Sequence, residues 1–147
     1  MLNNYHKAKQ RWKIFILALP LSSGTVMYAS RPGTSVIEPA NATLVTPLFT
    51  NSDVSCLSFR FLFSSNSNVT LSLYGVSDGD VSKHDVTKSL LWHMRSNYPS
   101  KDTWKSTEVT IDPGFVRLLF VSLHQVGGIY GLGLDNVTLV PGKCTGK

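Results

Sequence analysis

Two strand-like segments each carry one of the chain's only two cysteines, and the densest run of strand signals in the sequence lies between them. The first is Cys56-Leu57-Ser58-Phe59-Arg60-Phe61. The second, Gly131-Leu132-Gly133-Leu134-Asp135-Asn136-Val137-Thr138-Leu139, ends shortly before Cys144. A bond between Cys56 and Cys144 would close a loop of roughly ninety residues and remove about 4–5 kcal/mol of unfolded-state freedom in chain-entropy terms. It would bring their Cα atoms within bonding reach and make the flanking strands neighbours. Such a bond persists only in an oxidising compartment, so a cytosolic chain with two buried thiols is the alternative.

Period-two patterning dominates, and no stretch after the N-terminus sustains an amphipathic helix. Leu57, Phe59, Phe61 and Phe63 alternate with Ser58 and Arg60, as in a core strand with one polar face. Val69, Leu71 and Leu73 alternate in the same way after the turn-forming Ser64-Ser65-Asn66-Ser67-Asn68, and the two strands are expected to form a hairpin. Thr107, Val109 and Ile111 lead into the turn Asp112-Pro113-Gly114. The run 115–123 that follows is apolar on both faces apart from Arg117 and Ser122, which predicts a strand central in its sheet. Segments 25–29 and 42–45 are shorter strand candidates, expected near an edge. Segment 77–105 is a polar connection around Ser89-Leu90-Leu91-Trp92, expected to carry one strand and to serve as a variable binding loop.

In the closing segment, Asp135, Val137 and Leu139 share one face while Leu132 and Leu134 share the other, so a bulge or bend is expected near Gly131 and Gly133. Between Gly127 and Gly133 a hairpin bend is expected. The predicted core comprises Leu57, Phe59, Phe61, Leu71, Leu73, Val109, Leu118, Phe120, Val137 and Leu139, with Trp92 packed beside it.

At 147 residues the chain suits one domain. Its net charge of +5 arises at the start: Lys7, Lys9, Arg11 and Lys13 precede any acidic residue. No basic face for nucleic-acid phosphates is evident from the order of residues. The basic start, the apolar run 14–21 and the small residues Ser22, Ser23 and Gly24 follow the order of a secretory signal, predicting a leader at 1–24 and a domain at 25–147. A buried strand or short helix would explain the same apolar run. It is too short to span a membrane. Asn41, Asn68 and Asn136 each open an Asn-x-Thr sequon, in keeping with a secreted or cell-surface chain.

Many short strands, no helix and a flanking cysteine pair predict an all-β, antiparallel jelly-roll sandwich. The ordered features resemble the C-terminal two-thirds of a MAM domain. These are Gly24-Thr25-Val26-Met27-Tyr28, the Cys56 strand, Leu71-Ser72-Leu73-Tyr74, Leu91-Trp92, Trp104, Glu108-Val109-Thr110-Ile111, Arg117-Leu118-Leu119-Phe120 and the Leu134-Asp135-Asn136 ending. The resemblance implies an extracellular adhesion module that binds a protein partner or itself, tethered to a membrane, where it is tethered, through a parent protein. The chain departs from the family's pattern in lacking the opening cysteine pair and its strand, so the N-terminal third is missing or replaced. It also has Val121 where the family tends to place Glu.

No nucleophile elbow, phosphate loop or zinc spacing is present, and no enzyme activity or cofactor is expected. Asp135 is the acid to watch for a cation, since MAM-like domains place an acidic residue there; a carboxylate capping backbone amides is the plainer role. Tyr98 and Trp104 are the candidate binding aromatics. They also support a second functional expectation, a carbohydrate-binding jelly roll.

Overall fold

A computed structural model describes residues 12–16, 26–28, 40–46, 49, 52–64, 67–77, 88–96, 103–127 and 131–146. Among them are nine strands and no helix: β1 (Trp12–Ile16), β2 (Val26–Tyr28), β3 (Ala40–Val45), β4 (Ser55–Phe63), β5 (Val69–Ser77), β6 (Lys88–Arg95), β7 (Lys105–Ile111), β8 (Phe115–His124) and β9 (Leu132–Pro141). They form a five-stranded sheet, β1-β3-β8-β5-β6, packed on a four-stranded sheet, β2-β9-β4-β7. All pairings are antiparallel except β1 with β3. The expected all-β sandwich is the fold observed.

The core lies between the sheets. Leu57, Phe59, Phe61 and Phe63 of β4 face Leu71 and Leu73 of β5 and Leu118 and Phe120 of β8, all buried. Phe59 anchors the cluster: its ring meets Trp92 edge-on at 5.1 Å and Phe120 at 5.0 Å. Such T-shaped pairs add to area burial because a positive ring edge meets a negative ring face. Val137 is fully buried as expected, while Val109 and Leu139 are only partly buried at the margin of the core. β8, apolar on both faces, is the middle strand of the five-stranded sheet.

Two local expectations are corrected. β4 and β5 are not a hairpin, because β4 belongs to one sheet and β5 to the other. The link between them arches across the sandwich, held where the Ser64 amide donates to the Gly131 carbonyl (2.9 Å) and the Ser67 hydroxyl donates to the Ser64 carbonyl (2.8 Å). The link from β8 to β9 likewise crosses between sheets and is no hairpin bend. β3 lies near an edge as expected, one strand in, between β1 and β8, and its pairing with β8 is extended by Thr46. The Thr46 amide donates to the Leu118 carbonyl (3.0 Å), and its buried hydroxyl accepts from the Leu118 amide (2.9 Å). β2 is itself an edge strand, as expected.

Within the expected leader, Trp12–Ile16 forms β1, in parallel register with β3 from Trp12–Asn41 to Ile16–Val45. The rest of 1–24 lies outside the described residues.

Candidate interaction surfaces

The disulfide fixes the four-stranded sheet. Cys56 and Cys144 are bonded, with Cα atoms 4.9 Å apart, and the strands they flank, β4 and β9, are neighbours. Cys56 is on the outer side of β4, opposite Val140, and is buried beneath the segment that carries Cys144. That segment is also held where the Cys144 amide donates to Thr110 Oγ1 at 3.4 Å. Among the described residues, one trio of metal-ligating types converges, Cys56, Glu108 and Cys144, with ligand atoms within 4.8 Å of one another. Both sulfurs are consumed by the disulfide, so neither is a thiolate able to bind metal.

The outer face of this sheet carries Arg60 and Trp104. Trp104 precedes β7 and reaches across β4, so that its six-membered ring lies over Gly133 of β9. A Cβ at position 133 would come within 2.9 Å of that ring. The Arg60 guanidinium stands 5.3 Å from the Trp104 centroid, within cation–π range. Beside it, Ser58 and Thr138 share a 2.7 Å hydrogen bond between their hydroxyls. Trp104 is half-buried, and its companion candidate Tyr98 lies outside the described residues.

Asp135 does not face the core with Val137 and Leu139. It sits on the outer side opposite Arg60, and Oδ1 is buried with no hydrogen-bond partner among the described residues. The cause is a bulge, located at Asn136 and not at the glycines. The register of β4 with β9 shifts between Ser58 and Arg60, and Asn136 adopts φ 52°. One extra residue in the left-handed region resets the alternation, so Leu132, Leu134, Val137 and Leu139 all turn inward. Asn is among the few residues other than Gly that take this conformation readily.

Of the sequon asparagines, Asn136 is exposed, whereas Asn68 and Asn41 are half-buried. Asn41 is on the outer face of the five-stranded sheet, opposite Leu123.

At the other margin of the molecule, segment 77–105 contributes one strand, β6, as expected; 78–87 and 97–102 lie outside the described residues. β6 is the edge of the five-stranded sheet, and β7 is the corresponding edge of the four-stranded one. Buried Ser96 locks β6 onto β5: its hydroxyl donates to the Ser67 carbonyl (2.9 Å) and accepts from the Val69 amide (3.0 Å). A bulge in the β5 pairing, between Leu73 and Tyr74, leaves Leu91 unmatched. Trp92 and Met94 face inward, and Lys88, Leu90, His93 and Arg95 face outward and are exposed. Leu90, 54% exposed, is the most exposed large hydrophobic side chain described.

Charge is divided between the sheets in a way that residue order conceals. The strands of the five-stranded sheet contain Lys13, Lys88, Arg95 and Arg117 and no acidic residue, whereas those of the other sheet hold Asp135 and Glu108 with Arg60 and Lys105.

No curated protein matches the sequence. Among solved structures, the chain is similar to the K1 cleaved adhesin domain of Lys-gingipain from Porphyromonas gingivalis W83, with TM-score 0.60 and 16% identity over 80% of this chain and 73% of that one. The K3 cleaved adhesin domain of the same protein gives 0.57 and 16%, over 78% and 72%. The enzymatically active domain of tailspike protein 4 from bacteriophage CBA120 gives 0.50 and 16%, over 75% of this chain and 15% of that one. At such identities the likeness shows the fold alone. The profile of the MAM domain (meprin/A5/mu) matches residues 20–145, and the disulfide, the closing strand and the order of the nine strands fall within that span apart from β1: the chain belongs to the MAM domain family.

Proposed function

We propose that this chain is an extracellular, non-catalytic interaction module of adhesion type, engaging a protein partner or a second copy of itself. The observation that carries this reading is the Cys56–Cys144 bond within a MAM-family sandwich, because a bond of this kind is retained where thiols are oxidised. The β6 edge, with no further strand paired to it among the described residues, offers a place for a partner segment. In this reading residues 1–24 act as a leader. Cleavage after Gly24 removes β1 and leaves β3 as an edge strand. Asn41, Asn68 and Asn136 carry glycans. A glycan at exposed Asn136 shields the outer face of the four-stranded sheet, which moves the contact surface to the β6 margin.

The test is secretion of the chain from animal cells, with intact-mass analysis before and after reduction and deglycosylation, followed by aggregation of beads coated with it. Loss of the leader, one disulfide and bead clustering or capture of cells are expected. Free thiols on secreted protein, or beads inert toward themselves and toward cells, would refute the proposal.

A second reading, carbohydrate binding, draws on the half-buried Trp104 ring on an open sheet face. Arg60 already stands over that ring. A glycan array separates the two readings: a sugar ligand lost on Trp104→Ala or Tyr98→Ala favours carbohydrate binding. In the adhesion reading, Asp135 serves the Arg60 face electrostatically, and a cation there would show as calcium- or sodium-dependent thermal stability lost in Asp135→Asn.

A further inference from the structure

From the chemistry of the β6 edge we infer that its partner is an extended segment of a different protein, in which apolar and acidic residues alternate, added as a further strand. The inference rests on the adhesion reading and names the kind of partner. Three observations meet at this strand. Among the described residues nothing pairs with its outer edge, so its peptide groups on that side are open to a new ladder. Its inward residues, Trp92 and Met94, are only partly buried because the sheet ends there. The core is therefore unfinished along this margin, where Val109 of β7 is partly buried as well. Its outward residues Lys88, His93 and Arg95 are exposed, Lys88 and Arg95 are cationic, and no acidic residue occurs on any strand of that sheet.

An added strand presents successive side chains to opposite faces. On the inner side they meet the margin of Trp92 and Met94, where apolar groups gain burial. On the outer side they neighbour Lys88, His93 and Arg95, where carboxylates are attracted. The complementary sequence is therefore apolar–acidic alternation, with one outward apolar position tolerated beside Leu90.

A second copy of this chain is a poor occupant by the same reasoning. Two β6 strands paired antiparallel over their full length would set Lys88 opposite Arg95 at both ends, and like charges directly opposite are destabilising.

The test uses the secreted, disulfide-bonded chain with two probes, a short peptide of Val-Glu repeats and its Val-Lys counterpart. Binding is measured by titration, and the exchange of β6 amide protons is followed with and without peptide. The expected result is Val-Glu binding at least about tenfold tighter than Val-Lys, with slowed exchange along β6, as strand addition requires. The double variant Lys88→Glu/Arg95→Glu should abolish that preference. Both sites are exposed, so its fold is expected to be intact, checked by near-ultraviolet circular dichroism.

Absence of binding by either peptide, equal binding of both, or a preference that survives charge reversal would overturn the inference. So would charge-dependent binding that leaves β6 exchange unchanged, the signature of a sulfated polysaccharide on a basic face. A homodimer of the native chain with β6 amides protected would overturn it in favour of self-pairing. Adhesion undiminished in the double variant removes β6 from the contact while leaving the adhesion reading standing, whereas a wild-type chain inert on beads and cells defeats that reading itself.

Discussion

Arg60 and Asp135 stand opposite one another on the outer face of the four-stranded sheet, although strict alternation back from Val137 would turn Asp135 into the core. The residue between them and that alternation is Asn136, at φ 52°. A single left-handed residue thus decides whether Asp135 points between the sheets or lies on the same outer face as Arg60. Moving an ion into the core would cost several kcal/mol.

The first prediction concerns that residue. On deglycosylated protein, Asn136→Gly should leave stability unchanged or raise it by less than about 1 kcal/mol, because Gly takes the left-handed conformation without steric cost. Asn136→Val should lower stability by roughly 1–2 kcal/mol, the cost of placing a Cβ-branched residue there. Urea unfolding of the two variants reads the difference, and equal effects would show that the bulge lies elsewhere.

Removing the disulfide should destabilise without redirecting the fold. Cys56→Ser/Cys144→Ser is expected to lose about 2–5 kcal/mol, since the bond closes a long loop in the unfolded chain. The drop is measured by urea unfolding of the oxidised parent and the variant. A variant as stable as the parent would mean that the unfolded chain is already restrained without the bond.

Phe59 is 1% exposed and meets both Trp92 and Phe120 in T-shaped contacts. Phe59→Ala should cost about 3–5 kcal/mol, from lost transfer energy and the cavity left behind. Phe59→Leu, which retains most of the volume, should cost clearly less. A loss below about 1 kcal/mol for the alanine variant would place the ring outside the packed core.

Gly133→Val should dislodge Trp104. With a Cβ 2.9 Å from the ring, and two further methyl groups beyond it, the indole must lift away from the sheet and from Arg60. Its fluorescence should shift to the red and become more accessible to iodide, in a background where Trp12 and Trp92 are replaced by Phe. An unchanged spectrum would show that the ring has room to spare.

Much of this architecture was legible in the residues, because alternation reports burial directly. Phe59, Phe61, Leu71 and Phe120 lie where their period places them, and the two-sided apolar run of β8 marked the central strand. The hairpin expected between β4 and β5 shows where that signal stops. A hairpin within one sheet and an arch between two sheets present the same inward-facing alternation, and they differ only in distant partners such as Gly131 for Ser64. The bulge shows in the sequence as a conflict of facing, but that conflict does not fix its place at Asn136. Gly131 and Gly133 point to unusual backbone by residue type, whereas the residue in the left-handed region is Asn136. The basic character of the five-stranded sheet was hidden for a different reason: Lys13, Lys88, Arg95 and Arg117 are scattered along the chain and collect only once strand order is known.

The position of the disulfide also decides how the domain bears tension. Because Cys144 is tied to Cys56, everything from β4 to β9 lies inside one covalent ring. A pull applied across the two ends of the domain passes through the sulfur bridge and bypasses those six strands, so none of the chain they contain can be paid out as slack. Only the strands before Cys56 can be peeled away. β6 sits wholly within that ring, so a pull across the two ends does not unravel it.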